Sequence, residues 1–161
     1  MNDIGSETRS KQPSGTYYQV FLTHPLVKDT INKLIRRQGV VLGSGAGFVG
    51  LVNTGYFQGN TKVTASKYHK FISKDLIARV ANNRNVLFQG MSGQDVAVSL
   101  NGFYINVETD SKESCFLVSE ETLGEEPMVL GLQSKDGHVV GTITQIENNE
   151  VLLSTLLNYF I

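Results

Sequence analysis

The chain has 161 residues, 40% of them hydrophobic and 18% charged, with 14 basic against 15 acidic side chains and a net charge of −1. That balance excludes a disordered or coiled polymer and gives no global attraction to nucleic acid or an anionic membrane. A single cysteine, Cys115, excludes an internal disulfide and a multi-cysteine zinc site and fits a reducing compartment.

Residues 1–16 are polar, lack an apolar signal core and read as a flexible arm. No run of eighteen apolar residues follows, so no membrane span is expected, and the location is read as cytoplasmic. Residues 17–161 are expected to form one globular unit. Tyr17 to Leu22 reads as a short strand. Thr23 is placed as the cap of a helix with Pro25 just inside its start, running to about Gln38. Leu26, Val27, Ile31, Leu34 and Ile35 recur at helical spacing, and Gly39 stops the helix.

From residue 40 the pattern becomes strand-like. Strands are expected near 40–43, 46–52, 61–65, 76–80, 85–89, 95–99, 102–108, 114–119, 127–133, 138–146 and 150–159, the last with a helical alternative. Gly, Asn, Asp and Ser turns separate them. The fold class read from this is mainly β: two packed antiparallel barrels with an N-terminal helix, residues 17–100 holding the helix and first barrel and 101–161 a second, short barrel. A single barrel or sandwich is the fallback.

Three segments carry a family likeness: GSGAGFVG at 43–50, KVTASKYHKF at 62–71 and GQDVAVSL at 93–100. Together they resemble the trypsin/chymotrypsin superfamily, in its HtrA-like and viral 3C-like branches. The resemblance implies His69 as a general base and Asp95, 26 positions later, as the carboxylate that orients it. Here three residues separate Ala65 from His69 where the family has two. Residues 123–144 match either the stretch that precedes the family's nucleophile or a decayed nucleophile block with Gly124 in the serine position. In neither reading does a Ser or Cys sit in a Gly-x-Ser/Cys-Gly setting. Cys115, in an apolar ESCFLVS stretch, reads as a buried inert thiol. The likeness therefore implies a chymotrypsin-like peptidase domain that is inactive, degenerate or a fragment. If active it would be a serine- or cysteine-type endopeptidase with a polypeptide substrate.

The alternative is a non-catalytic viral accessory or structural module binding protein or RNA. Lys33, Arg36 and Arg37, and Lys62, Lys67, Lys70 and Lys74 with Tyr68 and Phe71, form its candidate RNA patches. Gln-Gly pairs at 38–39, 58–59 and 89–90 hint at viral processing sites. GSGAGF also has the look of a phosphate loop, but it lacks the Lys-Ser/Thr of a P-loop, and its flanks read as β. His24 and His138 have no partner pattern. No cofactor or metal motif is found.

Overall fold

The computed structural model describes residues 16–66, 68, 70–81, 84–88, 90–121, 127–146 and 149–160. Two helices come first, α1 (Thr16–Thr23) and α2 (Pro25–Arg36). The cap of α2 is His24, whose Nδ1 accepts from the Leu26 N–H at 3.2 Å, with Pro25 pre-set for the first turn. Thr23 ends α1 instead of capping α2. Tyr17 to Leu22, expected as a strand, is therefore helical.

Strand β1 (Val41–Ser44) then leads through Gly45 directly into helix α3 (Ala46–Asn53). The strands β2 (Lys62–Ala65), β3 (Ile72–Val80), β4 (Asp95–Gly102), β5 (Tyr104–Glu108), β6 (Cys115–Ser119), β7 (Met128–Gln133) and β8 (Val139–Thr142) follow, and α4 (Glu150–Phe160) comes last. Residues 86–88 form a short 3-10 turn where a strand was expected.

Six strands make one sheet in the order β1-β8-β7-β6-β3-β4, while β2 and β5 form a separate antiparallel ribbon. Within the sheet, β1 runs parallel to β8, in the register Val41↔Val139 to Ser44↔Thr142. The remaining pairs are antiparallel. After β8 the chain crosses to the far edge, where the Gln145 N–H donates to the Ser99 carbonyl at 3.3 Å and Asn149 Nδ2 to that of Ala97. The sheet is thereby curled into a half-barrel.

These contacts correct the expected fold class. The antiparallel barrels, and the single barrel or sandwich of the fallback, do not accommodate the parallel β1–β8 pair; residues 46–52, expected as a strand, form a helix, and 150–159, expected as a strand or a helix, are helical. The architecture is a mixed α/β half-barrel. No helix among the described residues is long and apolar enough to cross a membrane.

The physical reason lies in burial. Strands β3 and β4 alternate buried with exposed positions, as one-faced strands do. By contrast, β7 and β8 are buried at almost every position, so both their faces are covered. One cover is α3, in which Phe48, Val49, Gly50, Leu51 and Val52 are all buried. A helix apolar all round belongs in the interior, and an apolar run cannot be told from a buried strand by pattern alone.

The seating of α3 depends on two glycines paired across the strands, Gly43 of β1 and Gly141 of β8. A Cβ on Gly141 would lie 2.3 Å from the Phe48 ring, and one on Gly43 would lie 2.5 Å from Leu51 and 3.0 Å from the Phe48 backbone. The helix sits where side chains would otherwise stand. On its outer side α3 meets α1, where a Cβ on Gly50 would fall 2.5 Å from that of Tyr18.

Gly141→Ala is therefore expected to destabilise the protein by about 1–3 kcal/mol through overpacking, and Phe48→Ala by about 3–5 kcal/mol through the cavity it leaves. Combining them should cost less than the two single losses added, because removing the ring removes the clash. Urea unfolding of the three variants checks this. Strict additivity would show that Phe48 and Gly141 do not meet.

Candidate active-site elbow

The carboxyl ends of β1 and β8 lie side by side, and crevices at such ends are where open α/β sheets hold ligands. At this point the chain turns from strand to helix within one residue. Gly45 occupies the turn with φ 55° and ψ −121°, a combination that costs a residue with a Cβ about 1–3 kcal/mol. Its N–H donates to the Thr142 carbonyl at 3.0 Å, and its carbonyl accepts the Val49 N–H at 3.2 Å. The turn is thus held by the neighbouring strand on one side and by the new helix on the other.

The local sequence is Gly43-Ser44-Gly45-Ala46-Gly47. A Gly-x-nucleophile-x-Gly turn between strand and helix is the arrangement by which α/β enzymes lift a Ser or Cys above a sheet. The flanking glycines allow the close packing just described. The central residue carries the attacking atom, and the next N–H, here that of Ala46, faces a developing oxyanion. In this chain the central residue has no side chain. A Cβ built on Gly45 meets nothing within 4 Å, and Gly47 is equally open.

The surrounding side chains are hydroxyls and amides. Ser44 Oγ donates to the Thr144 carbonyl at 3.2 Å and accepts the Ile146 N–H at 3.5 Å. The Thr142 and Thr144 hydroxyls share a buried 2.6 Å hydrogen bond, and Thr142 Oγ1 accepts the Thr144 N–H at 3.1 Å. No Cys, His, Asp, Glu, Lys or Arg occurs from Gln38 to Thr61 or from Val139 to Ile146. Ser44 therefore fastens β1 to the segment after β8.

The described cysteine and histidines lie elsewhere. Cys115 is level with Gly43 across the sheet, through the register Cys115↔Leu132, Leu132↔Gly141 and Gly141↔Gly43. Three strand spacings separate the two, about 14 Å. Burial pushes its thiol pKa up, which suppresses the thiolate. His138 stands at the other end of β8, its Nδ1 2.8 Å from the Gly39 carbonyl and about 13 Å of strand from Thr142. His24 caps α2.

Of the two residues singled out in the sequence, Asp95 opens edge strand β4, is exposed, and accepts from Arg79 Nε at 3.0 Å on β3. His69 lies outside the described residues, as do Lys67, Gly124, Gln89 and nearly all of the 1–16 arm. The RNA patches lose cations to ion pairs: Lys33 with Asp29 at 2.9 Å and Lys62 with Glu108 at 3.1 Å. Phe71 packs edge-to-face on Phe103, with ring centroids 5.2 Å apart. In the Gln-Gly pairs, Gln38, Gly59 and Gly90 have positive φ.

GSGAGF, expected to have β flanks on both sides, has a strand before it and a helix after it. The signal that could have found it is the alternation of glycines at 43, 45 and 47 followed by an unbroken apolar run.

No family model matches the chain, and no curated protein is similar to it in sequence. Solved structures do share its fold. One is a chain in the structure of PurLQS from Thermotoga maritima, with a TM-score of 0.72 and 18% identity over 89% of this chain and 72% of that one. A glutamine amidotransferase from Thermotoga maritima gives a TM-score of 0.52 at 14% identity, over 82% of this chain and 51% of the other. A GMP synthase component from Thermoplasma acidophilum gives 0.54 at 15%, over 81% and 62%. The chain thus spans roughly half to three-quarters of the solved chains it matches. At these identities the likeness is one of fold.

That fold replaces the trypsin-like resemblance, and with it the peptidase, its polypeptide substrate and the viral module. GSGAGF is an elbow in a mixed sheet, not the opening strand of a barrel.

The torsional requirement at Gly45 separates it from its neighbour. Gly45→Ala is expected to cost about 1–3 kcal/mol although its methyl meets nothing. Gly47→Ala, inside the helix, should be neutral or stabilising by up to about 1 kcal/mol. Denaturant midpoints of the two variants check this, and equal losses would contradict the strained elbow.

Proposed function

We propose that this chain is a non-hydrolysing domain of amidotransferase-like fold, serving as a binding component alongside a protein partner. The observation that carries the reading is Gly45, a residue without a side chain at the strained centre of a Gly-x-nucleophile-x-Gly elbow. Covalent cleavage of a carboxamide needs an attacking atom, a base that removes its proton, and donors for the oxyanion. From Gln38 to Thr61 the chain has no thiol, imidazole, carboxylate or amine to serve as attacking atom or base.

The protein partner is supported by the names of the similar structures, PurLQS and one component of a GMP synthase. Residues 17–161 are taken as one unit in this reading, and the cytoplasm as its location, in keeping with a single buried thiol.

Ammonia release from L-glutamine by the purified chain tests the catalytic half of the proposal. Release at the uncatalysed background is expected. Gly45→Cys should introduce a thiol that iodoacetamide alkylates in the native protein, while Cys115 alkylates only on unfolding. Even so, Gly45→Cys should stay near background, because no base stands beside it on the described elbow and strand end. Turnover of about 1 s⁻¹ or more by the unaltered chain, within the ordinary enzyme range, would overturn the reading.

A further inference from the structure

We infer that the joint between α1 and α2 is a pH-sensitive hinge, latched by the neutral His24 ring and released when that ring takes a proton. The inference stands on the capping geometry of α2 and does not depend on how the elbow is read.

His24 closes one helix and opens the next. Its N–H donates to the Phe21 carbonyl at 3.2 Å, at the end of α1. Its carbonyl accepts the Lys28 N–H at 3.0 Å, the first backbone bond of α2. With its own backbone extended, at φ −62° and ψ 131°, its ring turns back so that Nδ1 accepts the Leu26 N–H at 3.2 Å. Pro25 has no N–H, so Leu26 carries the first donor of the helix, and the ring satisfies it.

Helices commonly take this bond from Ser, Thr, Asp or Asn, through a side-chain oxygen. An imidazole accepts it only while Nδ1 is bare and the proton sits on Nε2; the imidazolium donates from both nitrogens and accepts nothing. Protonation therefore removes the cap and sets a cation against the Leu26 N–H. The positive end of the helix dipole opposes that charge as well. No acidic residue stands in the first turn of α2 to offset it. Lys28, four residues on, adds a second cation on the same side, and Asp29 is paired with Lys33 at 2.9 Å. α1 brings only the phenols Tyr17 and Tyr18 as ionisable groups. Among the described residues no hydrogen bond or ion pair reaches the ring from any other element. The cap is thus present while the ring is neutral, and is lost as pH falls through the range, about pH 8 to 5, in which histidines change charge.

The far end of α2 has the opposite requirement. There the His138 ring meets a carbonyl, that of Gly39, at 2.8 Å from Nδ1, and a carbonyl needs a donor. That bond survives protonation of the ring. The Gly39 N–H also donates to the Leu34 carbonyl at 2.8 Å, and Ile31 is buried between the two ends. Acid therefore frees the first turn of α2 while the rest of the helix stays fastened. α1 remains seated on α3 through Tyr18 against Gly50, so the loosening is confined to the joint.

Amide exchange followed by NMR on the whole chain tests this, with each rate divided by its intrinsic value at the same pH. Protection of the Lys28 N–H should fall about tenfold from about pH 8 to about pH 5, while that of Ile35 in the same helix stays constant. His24→Asn, a cap that does not titrate, should keep the Lys28 protection at both pH values. His24→Ala should lose it at both. At the higher pH the ring nitrogens of the unaltered chain should report the proton on Nε2. Unchanged Lys28 protection in acid would overturn the inference. So would an equal fall in His24→Asn, a fall that Ile35 shares, or a neutral ring with its proton on Nδ1.

Discussion

Everything at the candidate site follows from one close approach, that of helix α3 to the paired glycines of β1 and β8. Because Gly43 and Gly141 carry no Cβ, Phe48 settles onto the sheet where side chains would otherwise stand. A helix seated so close to the end of its own strand leaves one residue in which to reverse direction. That residue takes φ 55° and ψ −121°, which glycine tolerates and other residues adopt only under constraint. The parallel pairing of β1 with β8 completes the arrangement, since Thr142 receives the Gly45 N–H and anchors the turn.

The same geometry separates scaffold from chemistry. An elbow holds a nucleophile in a strained, exposed position because the strain aims it. Here the strain persists with nothing to aim. A fold carries many functions, and which one it performs depends on side chains at the site. At this site they are Ser44, Thr142 and Thr144, joined to one another or to the backbone, with no thiol, imidazole or carboxylate on the elbow or on the end of β8. The one cysteine lies three strands away with its thiol pKa raised by burial.

Part of this was readable from the residues. The helix from Pro25 onward shows in its apolar spacing and its proline, and the strands near 76–80, 95–99 and 102–108 show in their β-branched residues and bounding turns, the first being longer in the structure, Ile72–Val80. The elbow helix did not. Phe48 to Val52 contains two valines and a glycine, poor helix formers, and is buried on every side, so neither propensity nor periodicity distinguishes it from a strand. α4, expected as a strand with a helical alternative, is ambiguous for a related reason: Leu152 and Leu156 mark its buried face, but Val151, Leu153 and Leu157 are exposed and blur the period. With 46–52 as a strand, the glycine alternation resembles the opening of a barrel. Short motifs near His69 and Asp95 then supplied a family that the sheet order excludes. Nothing local in the sequence announces that β1 and β8, a hundred residues apart, run parallel.

The backbone torsions at Gly45 in a crystal structure of the chain would test the central claim most directly. The account predicts φ near 55° and ψ near −121°, with residues 46–53 helical above Gly43 and Gly141. Extended torsions at Gly45, with 46–52 continuing as a strand, would contradict it.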